Sequence, residues 1–317
     1  MGKLRITDPG LKTFVEDLGR FGYQRYGVSV SGAMDEYAAR IANFLVGNGP
    51  DAAVLEITLK GVSLEFRDDA LFAITGGECD YTLNGKPVAL WQSHCAKAGD
   101  KLAGGFCVGG LRDYIGIAGG IDVPEVMGSR STNLRGKFGG FQGRALLAGD
   151  VLDFGAVDSA KLPPERYLKN EYIPHFTDET EFRVIMGPQD DAFTEAGKQT
   201  FLGSPYKVGY DSDRMGIRLA GEKIEHVKAA DIISDGIAMG SVQVPGDGQP
   251  IVITAERQST GGYTKIATVI SADRSKMAQA RPKGIIRFRA VSLEEGIEAL
   301  RASRAFLENL EQYCPVK

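Results

Sequence analysis

The chain has 317 residues, of which 43% are hydrophobic and 25% charged, the proportions of a soluble globular protein. That length supports roughly two domains with substantial buried cores. Lys plus Arg number 37 against 41 Asp plus Glu, a net charge of −4, so no bulk basic field favours nucleic acid. Apolar runs such as Ala70 to Ile74 are far too short to cross a bilayer.

Met1 to Asp8 reads as a short strand without the apolar stretch of an export signal, which gives the expectation of a cytoplasmic protein. Cys79, Cys95, Cys107 and Cys314 are widely spaced and lack paired CxxC spacing, so no metal site is expected and all four are expected as free thiols. His94 beside Cys95 is read as packing, because adjacent residues point to opposite faces of a strand.

A helix is predicted from Met34, Tyr37, Ile41, Phe44 and Leu45, with Asp35 and Glu36 early and Gly47 and Pro50 after it. Gly27 to Gly32, GVSVSG, therefore precedes a helix N-terminus. Its amides and the helix dipole suit an anion, with Ser31 adding a hydroxyl; alternatively Ser31 or Asp35 caps the helix. Leu55, Ile57 and Leu59 alternate with polar residues as in a half-buried strand, and Val62, Leu64 and Phe66 repeat the pattern. Leu71 to Thr75 reads as a buried strand ending at Gly76-Gly77, and Asn84-Gly85 marks a hairpin. The pattern is a meandering sheet. Ala98-Gly99-Asp100 and Ala148-Gly149-Asp150 both read as tight turns entering strands. Between them Gly128 to Arg144 is glycine-rich and basic, a solvated loop or a lid over an acidic ligand, with Arg130 as its anion-binding candidate.

Ala156 to Phe176 holds Pro163, Pro164 and Pro174 with little apolar periodicity and reads as a linker. The predicted organisation is a first domain over 1–158, a linker over 159–177 and a second domain over 178–317. A strand is predicted at Phe182 to Met186 and a short helix near Asp191 to Phe201. Tyr210 to Leu219 sets Asp211, Ser212, Asp213 and Arg214 side by side, either a surface ion-pair turn or a corner holding a carboxylate through Arg214. Pro250 to Thr254 delivers a polar cluster, Glu256 to Thr260, then Gly261-Gly262, Tyr263, Lys265 and the apolar run Ile266 to Ile270. Paired glycines adopt backbone angles closed to other residues and admit close approach of a ligand; the plain alternative is a hairpin with a polar tip. Ser292 with Glu295 forms a capping box opening a C-terminal helix.

GVSVSGAMD, GSRST, SDRMG, QVPGDGQPI and RQSTGGY fall in order between Ile6 and Val291, and together they resemble the carboxyltransferase-type (C) subunit of bacterial 5-oxoprolinase. The same family holds the second subunit of allophanate hydrolase, the matching region of urea carboxylase, and the antagonist of a sporulation-kinase inhibitor. The resemblance implies a mainly β chain of two cyclophilin-like barrel domains with a few short helices and a C-terminal helix. It implies a function exercised with two partners, a B-type sister subunit, smaller than this chain, and an A-type lactam-utilisation subunit. Their joint reaction is ATP-dependent opening of 5-oxoproline with water to give glutamate, ADP and phosphate. Two alternatives follow from the same family. One is biotin-linked carboxyl transfer to a urea-like acceptor; the other is regulation by sequestering a partner.

Ser29 stands where the family motif has proline and Glu256 where it has aspartate. No GxxxxGK(S/T) phosphate loop is present, so ATP is expected on, or shared with, a different subunit. Lys276-Met277 lacks a biotin carrier's Ala-Met-Lys-Met context, so biotin, if used, is attached elsewhere. The expected substrate is a small carboxylate or amide, held by Ser31, Asp35, Arg130, Ser212, Asp213, Arg214, Gln258, Gly261 and Gly262. Glu256, Tyr263 and Lys265 are the candidates for moving a proton, and the residues alone do not choose among them.

Overall fold

The computed structural model describes residues 1–155 and 162–317. The chain divides into two compact units, one of residues 1–21, 31–176 and 306–317 and the other of 22–30 and 177–305. The fold is mainly β, as the strand periodicities predict, with β-barrels and a few helices.

In the first unit a ten-stranded antiparallel sheet runs in the order Lys12–Glu16, Val54–Thr58, Lys101–Ile117, Ser63–Phe66, Gly2–Asp8, Val151–Phe154 and Ile121–Asp122. The long strand Ala70–Leu83 pairs along Lys101–Ile117 and also with Gln92–Ala96. Alternate residues of these strands, among them Leu4, Ile6, Leu64, Phe66, Phe72 and Ile115, fill one core. Helix α1, Glu36–Leu45, buries Ala38, Ile41 and Leu45 against Leu71, Trp91 and Tyr114 in another.

The second unit is a closed barrel ordered Glu179–Met186, Lys265–Val269, Ser241–Gln243, Ile251–Ile253, Gly216–Ala220, Tyr206–Val208 and Ile285–Ala290. Parallel pairing of Glu179–Met186 with Ile285–Ala290 closes it. Phe182, Val184, Phe201, Val242, Val252, Ile266 and Phe288 form its core. A separate two-stranded flap pairs Asp231–Gly236 with Thr260–Tyr263.

Local signals hold up well. Asn84 and Gly85 take φ of 53° and 79°, as a two-residue hairpin turn requires. In the two Ala-Gly-Asp turns the aspartate caps the amide three residues back, Lys97 N at 2.7 Å and Leu147 N at 2.7 Å, before each chain enters its strand. Ser292 and Glu295 bond reciprocally at 2.7 and 3.1 Å and open Leu293–Glu308. The short helix of the second unit is Glu195–Gly203, capped by Thr194.

Three expectations need correction. The strand from Ala70 does not end at Gly76-Gly77 but continues to Leu83; Gly76, at φ 106°, sits at a register shift that bends the pairing without stopping it. Val54–Thr58 is buried on both faces, because Glu56 is enclosed and bonded rather than solvated. Four free thiols are not found: the ladder sets Cys79 opposite Cys107, and the two are joined as a disulfide, leaving Cys95 and Cys314 free. Expected boundaries at 158 and 159 fall outside the described residues. Within the expected linker, Leu168 is buried and its amide donates to Trp91 O at 2.8 Å, so this part packs on the first unit. Among the described residues no helix is long and apolar enough to cross a membrane.

Candidate functional site

In the second unit period-two alternation gives each barrel strand an inner and an outer face. Ile217, Val242 and Val252 point into the core, while Gly216, Arg218, Gln243, Ile251 and Ile253 line a cavity on the outer face. The opposite wall is Ile237 with Gly261, Gly262 and Tyr263 of the flap, and Asp213, Met215, Arg257 and Gln258 complete it. The cavity volume is about 260 Å³. Drug-sized ligands fill about 300–1,000 Å³, so the space suits a smaller molecule.

Gly261 and Gly262 lie within a strand and neither has positive φ, so the expected unusual backbone angles are not why glycine is there. Close approach is the reason at Gly261, where a Cβ would collide with Ile237 Cδ1 and stand 2.9 Å from Gln243 Nε2. Asp213 shapes its corner by accepting from Met215 N at 2.8 Å and Gly216 N at 3.1 Å. Ser212 accepts from Arg218 N at 3.0 Å. The structure thus gathers Asp213, Gln258, Gly261, Gly262 and Tyr263 around one cavity.

Other predicted residues of this unit stand behind the wall. Arg214 is buried and bonds Glu256 Oε1 at 3.1 Å, and Glu256 N donates to Arg214 O at 2.7 Å. Lys265, 2% exposed, reaches Asp235 Oδ2 at 3.3 Å. None of these three lines the cavity. The guanidiniums that do are Arg218 and Arg257, neither of which the sequence singles out. Arg218 pairs with Asp211 at 3.3 Å in the open. The Arg257 side chain donates to Ile237 O at 3.1 Å, and no carboxylate pairs with it among the described residues. Burial, and then the charge of Arg274, hold its pKa below the usual arginine value. A signal for Arg218 existed in the alternation of MGIRL; Arg257 adjoins Gln258 in the motif already chosen.

Ser31, Asp35 and Arg130 lie in the first unit. Asp35 caps α1 by accepting from Ala38 N at 3.0 Å. Ser31 takes φ of 56° and meets Asn133 Nδ2 at 3.5 Å. The amides ahead of the helix are turned to the protein's own carboxylates: Gly32 N to Glu16 Oε2 at 3.1 Å, and Met34 N to Glu56 Oε2 at 2.8 Å. Tyr114 donates to Glu56 at 2.8 Å and accepts from Asp35 N at 2.8 Å. Arg130 extends to Glu125 Oε2 at 3.6 Å on the surface. Its backbone is held by Asp17, which also accepts from Gly19 N and Ser129 Oγ at 2.8 and 2.7 Å.

Residues 26–290 match the family described as carboxyltransferase domain, subdomain A and B. The chain belongs to this carboxyltransferase family. It is 38% identical over 307 residues to the C-type subunit of 5-oxoprolinase from Escherichia coli, covering 97% of each chain. It is 35% identical to the urea amidolyase of Lachancea kluyveri, covering 96% of this chain and 18% of that one. The crystal structure of the K. lactis urea amidolyase superposes with a TM-score of 0.92 at 34% identity, over 98% of this chain and 20% of that chain. This carboxyltransferase-family chain thus spans about a fifth of the urea amidolyases it matches and nearly all of the 5-oxoprolinase relative.

Proposed function

We propose that this carboxyltransferase-family chain is the C-type subunit of an ATP-dependent 5-oxoprolinase, acting with a B-type sister subunit, and with an A-type lactam-utilisation subunit, and that its outer-face cavity takes 5-oxoproline. Arg257 carries the reading. A half-buried guanidinium on a cavity wall, without a carboxylate of its own, suits a substrate that brings one. Urea, the acceptor in the alternative reaction, has no charge to offer it.

In this reading Arg257 anchors the substrate carboxylate and the lactam carbonyl lies toward the Gly261-Gly262 backbone, whose amides favour developing negative charge. Tyr263, at 41% exposure on the cavity wall, is placed to move a proton. Glu256 and Arg214 are positioning residues that fix the 213–216 corner against the 254–256 segment; Lys265 holds the flap through Asp235. The absence of a GxxxxGK(S/T) phosphate loop supports an ATP site on, or shared with, another subunit.

The test is reconstitution with the sister and lactam-utilisation subunits, measuring ATP-dependent glutamate formation with and without this chain. Arg257→Leu should raise the KM for 5-oxoproline by about 10- to 150-fold, the range of a charged hydrogen bond worth about 1.5–3 kcal/mol. It should also abolish preference for 5-oxoproline over 2-pyrrolidinone, the same lactam without the carboxylate. Undiminished preference in the variant would refute the assignment.

A further inference from the structure

The interior of the first unit holds a polar cluster that the proposed reaction does not use. Strands Ala70–Leu83 and Lys101–Ile117 run antiparallel, and their register puts Cys79 directly across from Cys107. Asp113 lies further along the second strand, opposite Gly76, with register shifts in the ladder between Gly76 and Cys79. One carboxylate oxygen and the two Sγ atoms all lie within 4.8 Å of one another. Gly77 leaves the room: a Cβ there would stand 3.1 Å from Asp113 Oδ1.

This cluster is sealed. Cys79 and Cys107 are 3% and 4% exposed and Asp113 is 0% exposed. Neither Asp113 oxygen has a hydrogen-bond partner of ordinary geometry, nor does the hydroxyl of Tyr81 that lies against it. A fully buried carboxyl without a cation or a complete set of donors is costly. Burial pushes its pKa up to about 7, against the opposing influence of Tyr81 and the Gly77 amide.

We propose that Cys79, Cys107 and Asp113, once the disulfide is reduced, bind one thiophilic divalent cation of the zinc type. Two thiolates and a carboxylate supply three of the four donors that such an ion takes. The disulfide and the metal site are alternative states of the same sulfurs. A dithiol or phosphine reductant supplies two electrons and the sulfurs take up two protons; the cation then displaces those protons, and the proton of Asp113 where present. Sequence spacing hides the set, because strand and hairpin put the cysteines 28 residues apart.

The experiment uses the full chain, reduced with a phosphine, stripped with a chelator and titrated anaerobically with Co²⁺. The expected result is one equivalent bound, with intense thiolate-to-cobalt absorption, displaced by Zn²⁺ and absent from oxidised protein. Cys107→Ser should abolish the absorption and Asp113→Asn should weaken binding at least about tenfold. Wild-type protein gives an arm free of folding artefacts: Zn²⁺ should slow alkylation of Cys79 and Cys107, located by peptide mapping, and leave exposed Cys95 unchanged. Reduced protein without the thiolate band, or alkylation of the pair at an unaltered rate, overturns the proposal.

Discussion

Asp273 is a fully buried carboxylate of the second unit, and Asp273→Asn isolates its charge with little change in volume. Its oxygens accept from Arg183 N at 2.9 Å, Nε at 3.0 Å and Nη2 at 2.7 Å, and Lys276 Nζ stands at 3.1 Å. Asp273 is 0% exposed and the Arg183 side chain 28%. Breaking a buried pair costs about 3–5 kcal/mol. The amide keeps one acceptor oxygen and water reaches part of Arg183, so the expected loss at pH 7 is about 3 kcal/mol. With a urea m-value of about 2 kcal/mol/M, the midpoint falls by about 1.5 M.

The pH dependence gives a second check on the same variant. Burial pushes the Asp273 pKa up, but the Arg183 fork, the Arg183 amide and Lys276 outweigh it, and the folded value lies below the usual carboxylate value. A depressed folded pKa means stability that is complete above the unfolded value of about 3.9 and lost as pH falls through the folded one. Urea unfolding followed by far-ultraviolet circular dichroism at pH 7 and pH 3 should therefore show a smaller difference between wild type and variant in acid. A loss under about 1 kcal/mol at pH 7, or an equal loss at both pH values, would refute the reasoning.

Gly261→Ala places a methyl against Ile237 Cδ1 and Gln243 Nε2, so it should cost about 1–3 kcal/mol in thermal unfolding and weaken 5-oxoproline binding; unaltered binding would remove this wall from the site. Asp17→Ala leaves the amides of Gly19 and Arg130 and the hydroxyls of Ser129 and Ser131 without their acceptor. At about 1 kcal/mol per bond the loss is about 3–4 kcal/mol, with faster hydrogen exchange at Gly19 and Arg130; unchanged exchange would show that other contacts hold the loop. Tyr263→Phe in the assembled complex should lower kcat about 10²-fold or more with little change in KM if its hydroxyl moves the proton. An unchanged kcat transfers that role elsewhere.

The cavity was partly legible. Asp213, Gln258, Gly261, Gly262 and Tyr263 come from two stretches far apart in sequence, and both stand out by dense polar residues beside glycine. What the residues could not show is which arginine faces the space. Arg214 and Arg257 sit in equally polar contexts, and only the packing of 213–216 against 254–256 turns Arg214 inward to Glu256 and leaves Arg257 on the wall. The amides of Gly32 and Met34, ahead of the helix, show the same limit. Their anions are Glu16 and Glu56, delivered by strands that pair with each other, Glu16 opposite Val54.

The sequence by itself determined the pieces whose energetics close within a few residues: the Asn84-Gly85 turn, the Ala-Gly-Asp turns, the Ser292–Glu295 box and the alternation that makes barrel strands. Each depends on one backbone conformation or one short hydrogen bond, so neighbouring residue types suffice to specify it. Tertiary structure decided the rest: that Glu56 is enclosed, that Cys79 meets Cys107 beside Asp113, and that three outer strand faces and a flap enclose a cavity. Those outcomes follow from strand register, and register is fixed by the sum of many distant side-chain contacts rather than by any local pattern.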